Sequence, residues 1–230
     1  MAEEKFSLNK YGDTLLGTTG THGADIASQR IDELDVEALR FAVSGELPAP
    51  IALDLGCGLG VQGMRFAILS MEAHLYDLLD ISDRIFAFKM MFPVVNLHFH
   101  KVDLREDMRH CLPAKVGLSY SQRFIHYLRY EEACRLLKSV FHSMMNGGRL
   151  FLSASGLNSE LGCRYAARNQ SLGRRFGALE PRVGKKHQIH EDVCLYTEGD
   201  LRQLTAACGF EEIGIWSSAF GNVKGVFVRH

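Results

Sequence analysis

Apolar residues along the chain follow two alternating spacings. From Asp25 onward Ala27, Ile31, Leu34, Ala38, Phe41 and Ala42 recur every three or four residues, which predicts one helix ending near Gly45 and the Pro48-Ala49-Pro50 breaker. Beyond a linker at 45–50, short apolar runs predict strands at 51–55, 74–79, 96–103, 116–121, 149–155, 211–216 and 223–229. Helical spacing predicts helices at 61–71, 82–91 and 130–145, the last carrying the stripe Ala133, Leu136, Leu137, Val140, Phe141 and Met144 with Gly147-Gly148 as its stop. Strands alternating with helices call for a parallel sheet covered on both faces. Only Ser217 to Asn222 separate the last two strands. That is too short for a parallel crossover, so these strands form a hairpin and leave one antiparallel strand at the end of the sheet. The expected fold is thus α/β, a doubly wound sheet of seven strands.

Composition narrows the class without naming a chemistry. In 230 residues, 26 Lys+Arg against 27 Asp+Glu leave a net charge of -1, with 47% hydrophobic and 23% charged positions. This excludes a disordered or collagen-like chain, and near-neutrality argues against a large nucleic-acid footprint. No stretch reaches the roughly 18 apolar residues of a membrane span. The opening Met-Ala-Glu-Glu-Lys lacks a basic region before an apolar block, so no secretory signal is expected. Six cysteines without a CxxC pair read as reduced thiols, which fits a cytoplasmic protein.

The candidate chemistry starts at Asp54-Leu55-Gly56-Cys57-Gly58-Leu59-Gly60, three glycines at alternate positions between a buried strand and a helix. Glycines there let a ligand approach the backbone, and the helix start presents N–H groups. Gly58-Leu59-Gly60-Val61-Gln62-Gly63 also reads as GxGxxG, the dinucleotide signature of a nicotinamide-dependent oxidoreductase. That register sets the Asp54 carboxylate near a pyrophosphate; two like charges 4 Å apart cost about 4 kcal/mol at an effective dielectric near 20. A cationic ligand reverses the sign.

The string Leu53-Asp54-Leu55-Gly56-Cys57-Gly58-Leu59-Gly60 resembles the first motif of the class I S-adenosylmethionine-dependent methyltransferases, and the strand order from about residue 25 to 230 is similar to that family's Rossmann-like sheet. The resemblance implies S-adenosyl-L-methionine as cofactor, bound by Asp54, Gly56, Cys57, Gly58 and Gly60. It implies an acid after the second strand for the ribose, where Asp77 and Asp80 compete, and Asp103 with Leu104 at the adenine. Ser119-Tyr120-Ser121-Gln122 would line the methyl group, with Ser121 and Gln122 on the cofactor. This string departs from the Asn/Asp-Pro-Pro-aromatic pattern of enzymes that methylate exocyclic amines or glutamine.

His126 is the candidate general base, since imidazole titrates near neutrality. Tyr120, Tyr11 and His22 are rival polar groups. The last two lie in the glycine-rich arm 1–23, which with the following helix to residue 50 is expected to close over the site as a lid on the 51–230 domain. An insert at 157–199 carries Arg164, Arg168, Arg174, Arg175, Arg182, Lys185 and Lys186 against Glu160 and Glu180 before His187, which points to a small polar or anionic acceptor. Protein or RNA acceptors, or a cofactor-binding regulatory subunit without catalysis, share the same loop. His98-Phe99-His100, and His187 and His190 with Cys194, match no standard zinc spacing, so no metal is expected.

Overall fold

The computed structural model describes residues 31–230; the arm at 1–23, with Tyr11 and His22, and the start of the helix expected from Asp25 lie outside the described residues. In chain order the elements are α1 (Glu33–Ala42), β1 (Ile51–Leu55), α2 (Val61–Ile68), β2 (Glu72–Asp77), α3 (Ser82–Met91), β3 (Leu97–Lys101), β4 (Val116–Ser121), α4 (Tyr130–Ser143), β5 (Met144–Ala154), α5 (Pro181–His187), α6 (Glu198–Ala206), β6 (Glu211–Ser217) and β7 (Val223–Val228). The strands form one sheet in the order β3-β2-β1-β4-β5-β7-β6. Strands β1 to β5 are parallel neighbours, whereas β7 runs antiparallel to both β5 and β6.

The antiparallel strand is therefore not terminal, as the hairpin alone suggested: β7 inserts between β5 and β6. Burial explains the choice. Val223 to Phe227 are buried, while β6 begins with exposed Glu211 and Glu212, residues suited to an edge that must not recruit another strand. A second difference concerns Gly147-Gly148. Helix α4 stops at Ser143, and the glycines lie inside β5, where the pairing with β4 jumps from Val116↔Met144 to Leu118↔Arg149. Gly147, at φ 80°, supplies the left-handed residue of this irregularity rather than a helix cap.

Each sheet face has its own core. Helices α1, α2 and α3 bury Leu34, Phe41, Phe66, Ile85 and Phe88 against Leu75, Tyr120 and Phe151; α4 and α6 bury Leu136, Val140 and Leu204 against Leu53, Leu150 and Phe227. Continuous burial of β1 and β4 accounts for their apolar runs, because both faces of a central parallel strand are covered. The crossover 102–115, from β3 to β4, contains no helix. Leu157, Leu161, Tyr165, Leu179, Ile189, Val193 and Leu195 form a third, smaller core under the insert. Among the described residues no helix is long and apolar enough to cross a membrane, and all six cysteines are free thiols.

Candidate functional site

The loop between β1 and α2 lies at the carboxyl end of the sheet, where open α/β sheets bind ligands. Gly56, Gly58 and Gly60 all have positive φ, at 66°, 53° and 74°, and Gly60 in the left-handed conformation caps α2. The loop is anchored to β2: the N–H groups of Gly56 and Cys57 donate to the Tyr76 carbonyl at 2.9 and 3.2 Å. The Asp54 side chain, 3% exposed, accepts from Gly63 N–H at 2.8 Å. A carboxylate from β1 thus satisfies the first turn of α2, where Gly60 offers no side chain, and its charge suits the positive end of the helix.

The two ribose candidates part company here. Asp77 ends β2 beside the loop: one oxygen accepts from Gly58 N–H at 2.8 Å and the other from Leu79 N–H at 2.8 Å. This turn also stops the strand two residues before the expected end. Asp80 instead accepts from Ser82 N–H and meets Lys101 at 3.3 Å on the exposed surface; its carboxyl is held below the ordinary range by Ser82 and Lys101. Asp103 is gripped by the Arg105 guanidinium, with contacts of 2.7 to 3.0 Å, and Leu104 is buried.

At the end of β4 the expected residues point in different directions. The Ser121 hydroxyl donates to the Leu55 carbonyl at 2.9 Å, tying the ends of β4 and β1. Tyr120 is buried on the α1 side and its hydroxyl donates to Asp35, so burial and the neighbouring carboxylates push the phenol well up from its ordinary value. Gln122 donates to Asp32 at 2.6 Å, and Lys224 of β7 reaches Asp32 at 2.9 Å and Glu33 at 3.1 Å. These groups, with Arg123 and Phe220, line a cavity of about 580 Å³ between the start of α1, the end of β4 and the β6–β7 turn. Neither His126 nor the insert lines it. The sequence reading missed Asp32 and Lys224, although each left a signal. Asp32-Glu33-Leu34-Asp35 is a capping box, and Lys224 is a lone charge in an apolar strand.

His126 sits in a single 3-10 turn, 1% exposed, with Nε2 3.4 Å from the Ser155 hydroxyl and Nδ1 without a hydrogen-bond partner. Burial and the Arg123 charge depress its pKa well below the ordinary 6.5. The imidazole is neutral at neutral pH. An unfolded chain takes up a proton near pH 6.5 that the folded site refuses, so stability falls as pH drops below that value. Urea unfolding from about pH 5 to 7.5 should show this slope, flattened in His126→Asn. An unchanged slope removes His126 as its source.

The insert spends part of its charge internally. Arg175 pairs with Asp200 and donates to the Leu195 carbonyl, Lys186 pairs with Glu160, and Arg168 donates to the carbonyls of Leu157 and Gly162. Arg164, Arg174, Arg182 and Lys185 are exposed.

Neither a family model nor a curated protein matches this sequence. Solved structures do. The magnesium protoporphyrin IX methyltransferase of Synechocystis, with bound S-adenosylhomocysteine, superimposes with a TM-score of 0.61 at 18% identity, over 89% of this chain and 83% of that one. The 1,6-didemethyltoxoflavin-N1-methyltransferase of Burkholderia thailandensis, holding 1,6-didemethyltoxoflavin and S-adenosylhomocysteine, gives 0.62 at 15% identity over 89% and 79%. Human N-acetylserotonin methyltransferase in complex with S-adenosylmethionine gives 0.55 at 16% identity over 86% of this chain, which spans about half, 52%, of the human one. The fold is that of the class I S-adenosylmethionine-dependent methyltransferases.

Proposed function

We propose that this chain transfers a methyl group from S-adenosyl-L-methionine to a small polar or anionic acceptor. The observation that carries the reading is the Asp54 carboxylate seated on the first turn of α2. It fills with negative charge the place where a dinucleotide's pyrophosphate binds in the nicotinamide reading, and it suits a sulfonium ligand. The sheet order, with β7 antiparallel inside it, also departs from the 3-2-1-4-5-6 order of dinucleotide-binding folds.

The donor set fits that cofactor. Bound cofactor would lie against the 56–60 loop, with Asp77 to accept from its ribose hydroxyls and the Asp103–Leu104 pair beside its adenine. Asp103 keeps acceptor capacity beyond the Arg105 fork, because a carboxylate has about four lone-pair sites. Ser121 and Gln122 close the methyl side. When bound, the cofactor supplies a methyl group on a positively charged leaving sulfur. The protein's part is to hold the acceptor within about 3 to 3.5 Å and in line. The cavity beside Gln122 serves as the acceptor chamber, a polar space lined by the Lys224–Asp32 and Arg40–Glu37 ion pairs. His126, the base candidate of the sequence, is neutral but does not line this cavity, so the transfer proposed here rests on positioning the acceptor.

S-adenosylhomocysteine at about 100 times its Kd should stabilise the protein by about 2.7 kcal/mol, a rise in Tm of about 5 to 10 °C, whereas NAD(H) and NADP(H) should not. In a cell extract with methyl-labelled cofactor, label should enter the small-molecule fraction. Label in protein or RNA overturns the acceptor class, and stabilisation by NADH alone overturns the whole reading. Cofactor binding without label in any fraction indicates a regulatory subunit.

A further inference from the structure

Strands β2 and β3 carry a side-chain cluster unconnected with the glycine loop. Their parallel register pairs His74 with His98 and Tyr76 with His100. Alternation along each strand then puts Glu72, His74, His98 and His100 on one face. The rings are close: His74 and His98 stack with centroids 4.7 Å apart, and His100 stacks on Tyr76 at 4.6 Å. The helix-free crossover leaves this end of the face without an apolar cover, so His98 is exposed and Glu72 and His74 are half-buried. His98-Phe99-His100 alone specifies no acid partner. The fold supplies one, Glu72, from the neighbouring strand.

We propose that Glu72, His74 and His98 bind a first-row transition-metal dication of the zinc class, stapling the edge strand β3 to β2. One ligand atom from each residue lies within 4.8 Å of the other two. Metal–ligand bonds of about 2.0 to 2.2 Å need donors about 3.3 Å apart in a tetrahedral site, so modest side-chain rotation closes the set. Two imidazoles and one carboxylate suit zinc, cobalt or nickel rather than calcium or magnesium. The orientation of His74 is already that of a ligand. Its Nδ1 is 3.1 Å from His100 Nε2, while its Nε2 faces the Glu72 carboxylate at 2.8 Å. A metal-bound imidazole characteristically gives its second N–H to such an outer partner. His98 meets Asn96 Oδ1 at 2.7 Å, a second outer contact. Three protein ligands leave a fourth position to water. The inference stands apart from the methyl-transfer reading.

The test uses the full chain without an affinity tag, stripped with a chelator and titrated with zinc chloride against a chromophoric competitor. One equivalent should bind, Tm should rise, and cobalt(II) in its place should give the absorption of a tetrahedral site. His98→Ala, at an exposed position, and Glu72→Gln should each weaken zinc binding at least about tenfold. His142→Ala, on the exposed end of α4, should leave it unchanged. No saturable uptake, or uptake undiminished in His98→Ala and Glu72→Gln, overturns the site and leaves the cluster as a polar edge that repels strand addition.

Discussion

Asp77→Ala should weaken S-adenosylhomocysteine binding by about 150-fold, or about 3 kcal/mol, the scale of two hydrogen bonds to a charged acceptor. The variant also strips the Gly58 N–H of its 2.8 Å partner, so the loop loses one of its ties to β2 and keeps those of Gly56 and Cys57 to Tyr76. Asp77→Asn keeps one acceptor oxygen and should cost about tenfold. Asp80→Asn, exposed and paired with Lys101, should change affinity by less than about twofold. Isothermal titration of the three variants decides the matter. A loss confined to Asp80 reassigns the ribose contact, and wild-type affinity in Asp77→Ala sinks the site as described.

Gly56→Ala should lower stability by about 3 kcal/mol and Tm by about 6 to 12 °C. Two costs combine. An L-residue at φ 66° costs about 1 to 2 kcal/mol, and the new Cβ would lie 2.2 to 2.5 Å from Cγ, Cδ2 and Cβ of Phe124, an overlap worth about 1 to 3 kcal/mol. Gly147 separates them, since its φ of 80° is as demanding but nothing lies within 4 Å of its added Cβ. Gly147→Ala should therefore show the backbone cost alone. Placing Gly56→Ala in a Phe124→Ala background should recover most of the overlap cost as a coupling energy. If calorimetry finds Gly56→Ala no worse than Gly147→Ala, the close approach of Phe124 to the loop is wrong.

The sequence was most readable where one physical demand governed a segment. Ile51–Leu55, Ser82–Met91 and Val116–Ser121 have the predicted bounds, because a buried central strand or a helix between clear breakers leaves little competition. Segments serving two demands misled. Gly147-Gly148 has the composition of a helix stop but serves a strand irregularity, and hairpin length alone could not say which of β6 and β7 takes the inner place. The glycine loop was legible because positive φ at three alternate positions leaves little choice but glycine. Its surroundings were less so. Which of two acids three residues apart lies beside the loop depends on where β2 stops, and that depends on a side-chain contact, Asp77 with Leu79 N–H, which periodicity does not encode. The basic insert showed the converse weakness: a count of charges cannot tell that Arg175 is buried against Asp200.

Lys224 reaches Glu33 across 191 positions of chain, so one wall of the cavity joins α1 to β7. Among the described elements α1 is synthesised first and its partner strand β7 last. Until that strand arrives, the start of α1 lacks its cation and the cavity lacks a side. A chain lacking β7 therefore lacks Lys224, the cation that bridges Asp32 and Glu33, and with it one side of the cavity.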